Sequence, residues 1–168
     1  NENIAVEVKD GKTILTVNVK NAYGASLEIV LAKAPPFTDV PVDSFYFDAV
    51  EWAVEKEITA GIGDGTFLPN RAVTRAEIVT MLWCAAGAEI VDAENPFTDV
   101  NEGDYFYNAV LWAVKNGYVY GVTETKFAPN AAATRAEAIT FLWRAEGKPG
   151  RAEDVVFSDV EDNRFYTD

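Results

Sequence analysis

The apolar positions of this chain change period twice. Ile4, Val6 and Val8 alternate with polar residues, and Thr13, Leu15, Val17 and Val19 alternate again beyond Asp10-Gly11. Period two marks a half-buried strand, and Asp-Gly between two such runs predicts a hairpin. Leu27, Ile29 and Leu31 predict a third strand. Three strands alone make a marginal sheet, so residues 1–34 read as the end of a preceding β-rich domain or as a small sheet resting on the helical part of the chain. Past the linker "AKAPP" the period becomes helical. Ala49, Val50, Ala53 and Val54 form a stripe that predicts a helix through about Lys56, capped by Asp43 or Ser44. Ile78, Val79, Leu82, Trp83 and Ala86 predict a second helix from about Thr74 to Ala86, closed by Gly87. Between them "GIGDGTFLPN" is a turn-rich connector whose Phe67 is expected to plug the space between the helices.

The same order then recurs with a constant offset of sixty residues. "PFTDVPVDSFYFDAVEWAVEK" at 36–56 aligns without a gap to "PFTDVNEGDYFYNAVLWAVKN" at 96–116, and "GDGTFLPNRAVTRAE" at 63–77 to "TETKFAPNAAATRAE" at 123–137. A third copy opens at Phe157 with "FSDVEDNRFYTD". The organisation is therefore a β segment at 1–34, a first repeat at 36–95, a second at 96–156, and the start of a third at 157–168. Each helix–loop–helix unit is too small to bury a core alone, so neighbouring repeats must pack together. The expected fold class is mainly α, built of tandem repeats. Trp52, Trp112, Trp83 and Trp143 fall on the helical stripes and are expected in the core.

Composition narrows the chemistry. The net charge is −13 and the chain contains no histidine. An acidic surface argues against general binding to nucleic acid or to anionic membrane. The missing histidine removes Ser-His-Asp and Cys-His catalysis and His-ligated zinc. A single cysteine, Cys84, excludes an intramolecular disulfide and multi-cysteine metal sites. No apolar run is long enough to span a bilayer. "DGT" without further spaced carboxylates is a poor calcium loop, so neither metal nor cofactor is expected.

Both second helices open on Thr-Arg-Ala-Glu. Thr74 with Glu77, and Thr134 with Glu137, fit the capping box, which explains the threonines and glutamates. The arginines are harder to explain, because a cation exposed at a helix N-terminus costs roughly 0.3–1 kcal/mol. Either Arg75 and Arg135 pair with nearby carboxylates of this acidic chain, or guanidinium and free helix N–H groups converge on one external anion.

These residues carry a resemblance. F-[TS]-D-V, an aromatic cluster before A-V-x-W-A-V, a connector ending F-x-P-N and T-R-A-E at a helix start together resemble the S-layer homology module, over about residues 36–168. The resemblance implies repeats that pack around a pseudo-threefold axis with grooves between them. It also implies an exported protein held non-covalently on the bacterial cell surface by secondary cell-wall polysaccharide, commonly pyruvylated. Residue by residue, it makes Arg75 and Arg135 the leading ligand contacts. Glu77 and Glu137 match the motif glutamate, and Asp64 and Gly65 match the family's D-G, where the second repeat has Glu124 and Thr125. Asp39, Asp99 and Asp159 match the aspartate near the repeat start, and equally fit a turn or cap acceptor. Phe45, Tyr105 and Phe165 stand where the family often has tryptophan, and either stack on a sugar face or pack in the interior. On this reading Arg75→Ala and Arg135→Ala weaken glycan binding and leave the fold intact, since an exposed residue at the first helical position contributes little to packing.

Two other classes remain open. A structural or assembly role would have the repeats pack against protein, with the arginines in internal salt bridges. An enzyme acting on glycans would need a carboxylate pair such as Asp39 with Glu77, and nothing in the spacing indicates one. The expectation is a binding module rather than an enzyme. Since the third repeat lacks its second helix, exposed faces would favour a homo-oligomer or a domain swap.

Overall fold

A computed structural model of the chain describes residues 35–150 and Ser158, together with the backbone of three strand segments. These strands are β1 (Asn3–Lys9), β2 (Lys12–Asn18) and β3 (Leu27–Leu31). They form an antiparallel sheet in the order β1-β2-β3, with Val6 opposite Leu15 and Leu15 opposite Ile29. The Asp10-Gly11 turn and the start of the third repeat, including Asp159 and Phe165, lie outside the described residues.

Four helices follow: α1 (Phe47–Glu55), α2 (Arg75–Ala85), α3 (Tyr107–Lys115) and α4 (Arg135–Ala145). The chain is mainly α, one helical pair per repeat. α1 begins later than expected, because neither Asp43 nor Ser44 caps it. Ser44 instead donates its hydroxyl to the Pro41 carbonyl at 2.7 Å. Its own carbonyl accepts the Phe47 N–H at 3.1 Å, so a tight turn delivers the chain into a helix with no side-chain cap. α2 and α4 start as their capping boxes dictate. Thr74 Oγ1 accepts the Glu77 N–H at 3.2 Å while Glu77 accepts the Thr74 N–H at 2.7 Å. Thr134 and Glu137 do the same at 3.2 and 2.9 Å. α2 ends where Gly87 adopts φ +94°. The N–H groups of Gly87 and Ala88 then turn back to the carbonyls of Cys84 and Trp83 at 3.0 and 2.9 Å, a Schellman closure that satisfies carbonyls the helix leaves unpaired.

The connectors are fastened from the repeat starts. Asp39 accepts the N–H groups of Phe67 and Leu68 at 2.8 and 2.7 Å, and Asp99 those of Phe127 and Ala128 at 2.9 and 3.0 Å. Each aspartate thus pins a connector phenylalanine 28 residues away, bringing Phe67 onto Phe37 and Phe127 onto Phe97, with ring centroids 5.5 Å apart in both repeats. Asp99→Ala strips two backbone donors of their acceptor, one of them on a fully buried residue. It should cost about 2 kcal/mol, read as a lower urea midpoint, and an unchanged midpoint would refute the fastening role.

The main core lies mostly in the second repeat and takes in one face of α2 from the first. It joins Ala76 and Val79 of α2 to Phe97, Val100, Ala109, Val110, Trp112 and Phe127 of the second repeat. The first repeat keeps only a small cluster of Phe37, Val40 and Val50. Position in the array therefore decides burial. Trp112 is 5% exposed, but its counterpart Trp52 is 55% exposed, contrary to the expectation that both are core. Trp83 and Trp143 are half-buried, and each donates its indole N–H to a backbone carbonyl just beyond its helix, on Glu89 and Pro149.

Candidate functional site

The two motif arginines occupy opposite environments. Arg75 is 4% exposed, which corrects the expectation of an exposed residue with little part in packing. Its Nε donates to the Phe127 carbonyl at 3.0 Å, Nη2 to the Tyr120 carbonyl at 2.8 Å, and Nη1 to the Glu137 carboxylate at 2.5 Å. Its guanidinium carbon lies 4.9 Å from the Phe127 ring centroid and 5.5 Å from that of Phe141. The first backbone N–H groups of α2 are engaged by the same neighbour, Arg75 N–H by Ala131 at 2.9 Å and Ala76 N–H by Pro129 at 3.0 Å. Guanidinium and helix start do converge on one electronegative surface. That surface is the connector of the next repeat. The electrostatic cost of a cation at the first helical position is offset by three acceptors and two aromatic faces.

Arg135 heads α4 in the same way but is exposed, and no hydrogen bond or ion pair reaches its side chain among the described residues. The contrast between these arginines does not extend to Asp39 and Asp99, which are both turned inward on their connectors. Asp64 is exposed and holds its own turn, accepting the Thr66 N–H at 3.0 Å and hydroxyl at 2.6 Å. Those Thr66 donors keep its carboxyl below the usual aspartate range. Gly65 contributes its carbonyl, which accepts the Thr38 N–H at 3.1 Å. Thr125 does the same for Thr98 at 3.0 Å, so the second repeat preserves the contact without the D-G pair. Phe45 is 98% exposed, with only its edge contact to Tyr46 described.

One groove gathers chemistry from both repeats. It encloses about 840 Å³ between the first connector, α2 and Tyr105 of the second repeat. Ile62, Phe67, Val73 and Met81 give it apolar walls. Arg71, Glu77, Glu57 and Tyr105 are among its polar groups, and Arg71 pairs directly with Glu77. Of the residues expected at the site, Glu77 and Tyr105 come together here, while Arg75, Asp39, Asp64, Gly65 and Phe45 do not line it. Burial, and then the negative charge of Glu77, push the Tyr105 phenol up. Arg71 was missed by the motif comparison, although its signal is present: it is a charge standing where the second repeat has Ala131.

Glu77 and Glu137 both titrate below the ordinary 4.5. Burial opposes ionisation in each, but is outweighed by the Arg71 and Thr74 partners of Glu77 and by the Thr134 and Arg75 partners of Glu137. The unfolded chain therefore takes up protons first as pH falls, and the stability these carboxylates contribute is present above their unfolded value and lost below it. The stability difference between the wild type and Glu137→Gln should be largest near neutral pH and close as pH drops through about 4. Denaturation midpoints across pH would show it, and a difference that widens on acidification would contradict the assignment.

Among the described residues no cluster of three or more Asp, Glu or Cys side chains could hold a metal ion, and no helix is long and apolar enough to cross a membrane.

Comparison with known proteins returns the same pattern of two units. A family described as the S-layer homology domain matches residues 36–79 and 96–139. The "Surface-layer 125 kDa protein" of Lysinibacillus sphaericus is 29% identical over 151 residues, covering 89% of this chain and 13% of that protein. A "Cell surface protein" of Thermoanaerobacter kivui is 33% identical over 141 residues, 81% of this chain and 18% of its own length. The "Cellulosome-anchoring protein" of Acetivibrio thermocellus is 28% identical over 121 residues, 68% of this chain and 27% of its own. The chain thus spans about a quarter or less of these curated relatives.

Proposed function

This chain belongs to the S-layer homology domain family, and from that premise we propose that its groove binds secondary cell-wall polysaccharide and so holds an exported protein on the bacterial envelope. Membership, with relatives named as surface-layer, cell-surface and cellulosome-anchoring proteins, makes it a cell-surface anchoring module outside the cell. The finer step to a glycan rests on one observation: the groove that joins Arg71, Glu77 and Tyr105 across the two repeats.

The chemistry suits a sugar that carries both hydroxyls and a carboxylate. The exposed part of the Tyr105 ring and the apolar walls can pack against a pyranose face. Glu77 accepts from hydroxyl or amide donors. Arg71 retains guanidinium N–H groups beyond the one given to Glu77, and a guanidinium fork matches a carboxylate. Since Glu57 also lines the groove, a pyruvyl carboxylate has one favourable place, against Arg71. The ligand cation is thereby moved from Arg75, whose donors are engaged within the chain, to a residue four positions earlier. Asp39, the partner considered for Glu77, is held by two backbone N–H groups outside the groove, so that carboxylate pair does not form there.

Calorimetry with secondary polymer released from cell walls tests this. Arg71→Gln and Tyr105→Ala should each weaken binding about tenfold or more, with the thermal midpoint little changed because both side chains are substantially exposed. Wild-type affinity in both variants would overturn the groove as the glycan site.

The assembly reading also has an observation in its favour. Arg75 makes the internal salt bridge that such a role requires, and the first repeat presents the same receiving surface uncovered.

A further inference from the structure

We propose that the groove of the first repeat is a seat for the start of α4 from a second copy of this chain, so that copies associate head to tail through the contact that already joins the two repeats of one chain. An internal comparison carries the inference. The start of α2 is received in the second repeat by the carbonyls of Tyr120, Phe127, Pro129 and Ala131 and by the Glu137 carboxylate. Sixty residues earlier stand Ala60, Phe67, Pro69, Arg71 and Glu77, and all five line the open groove. Phe141, which stacks on the seated guanidinium, corresponds to Met81, another wall residue. The receiving surface is thus built twice. It is covered in the second repeat and open in the first.

The donating surface is also built twice. Arg75, Ala76 and Val79 are 4%, 1% and 0% exposed, whereas Arg135 is exposed and Ile139, the counterpart of Val79, is 64% exposed. The receiving side shows the mirror of this difference, with Phe127 at 0% and Phe67 half-buried. Charge agrees as well. Glu57 and Glu77 share the groove with a single cation, Arg71, so an incoming guanidinium is favoured, and Arg135 is a guanidinium without a partner among the described residues. Arg71 holds Glu77 from within the first repeat, and must swing aside to admit Arg135 as its counterpart Ala131 need not. It acts as a placeholder that competes with the second copy.

Donor and seat are different surfaces, so the contact is heterologous and each copy keeps one of each free for the next. Glycan and second copy also exclude each other from one groove, although the association itself does not depend on the glycan reading.

Sedimentation velocity of the chain alone, over a concentration series reaching the millimolar range, tests the inference without polymer present. The wild type should show concentration-dependent growth beyond a dimer or closure into a ring. Arg135→Glu and Glu77→Arg should each be monomeric, their association weakened about tenfold or more. Mixed in equal amounts, they should regain association, because the intact donor of one meets the intact seat of the other and the exchanged charges at the remaining ends are again opposite. That gain on mixing also shows that both variants are folded. Arg71→Ala should tighten wild-type association several-fold. A wild type that remains monomeric throughout, a mixture that remains monomeric, or an Arg71→Ala that weakens association would each overturn the seat. Dispersal of the oligomer by released polymer would show that the two occupants share the groove, and failure to disperse it would count against the glycan reading while leaving the seat in place.

Discussion

Arg75→Ala should destabilise the chain by about 3 kcal/mol, whereas Arg135→Ala should change stability by less than about 0.5 kcal/mol. The two substitutions remove the same residue from the same motif, so the difference isolates what the second repeat does for the first. Truncating Arg75 leaves the Phe127 and Tyr120 carbonyls without their donor, deprives Glu137 of its cation and opens space between two phenylalanine rings. Losing one partner of a buried ion pair costs about 3–5 kcal/mol. The lower end applies because the Glu137 side chain is 19% exposed and keeps some hydration. Arg135 has none of these contacts to lose. Urea denaturation at neutral pH reads both. Equal, small effects would mean that the repeat junction is not held by Arg75.

Gly121→Ala should be comparably damaging, at about 3 kcal/mol, by crowding instead of loss. A Cβ at residue 121 would lie 2.4 Å from the Thr123 carbonyl oxygen, 2.5 Å from Cε1 of Phe97 and 2.7 Å from the Lys126 carbonyl oxygen. Two of these three neighbours are backbone, and the third is a core ring already packed on Phe127. None can yield cheaply. Gly103→Ala is the control, since its Cβ would meet nothing within 4 Å, and it should be neutral within about 0.5 kcal/mol. A neutral Gly121→Ala would show that the connector tolerates a shift that its close packing forbids.

The features legible in the sequence were those set by neighbours in the chain. Thr-x-x-Glu sets a capping box within three residues, and both boxes form with the expected partners. Gly87 and Gly147 sit at positive φ just past their helices, as the closing signals required. The sixty-residue offset showed that the repeats must pack on one another. The destination of Arg75 was not legible, because its acceptors lie 45, 52 and 62 residues further on. Local pattern shows a misplaced cation but not the surface that receives it. Trp52 and Trp112 fail for a related reason. They stand in nearly the same sequence, yet only Trp112 has a preceding α2 packed over its repeat. Arg71 lies outside the shared motif, where the second repeat has Ala131. The residue that distinguishes the first groove is one of those that the two repeats do not share.

The central claim, that this module anchors a protein by holding wall polysaccharide, is tested most directly by cosedimentation with purified sacculi, before and after chemical removal of their secondary polymer. The wild type should pellet with intact sacculi and stay in solution with stripped ones, and Arg71→Gln with Tyr105→Ala in one chain should stay in solution with both. Equal binding to intact and stripped sacculi, or no binding to either, would contradict the claim.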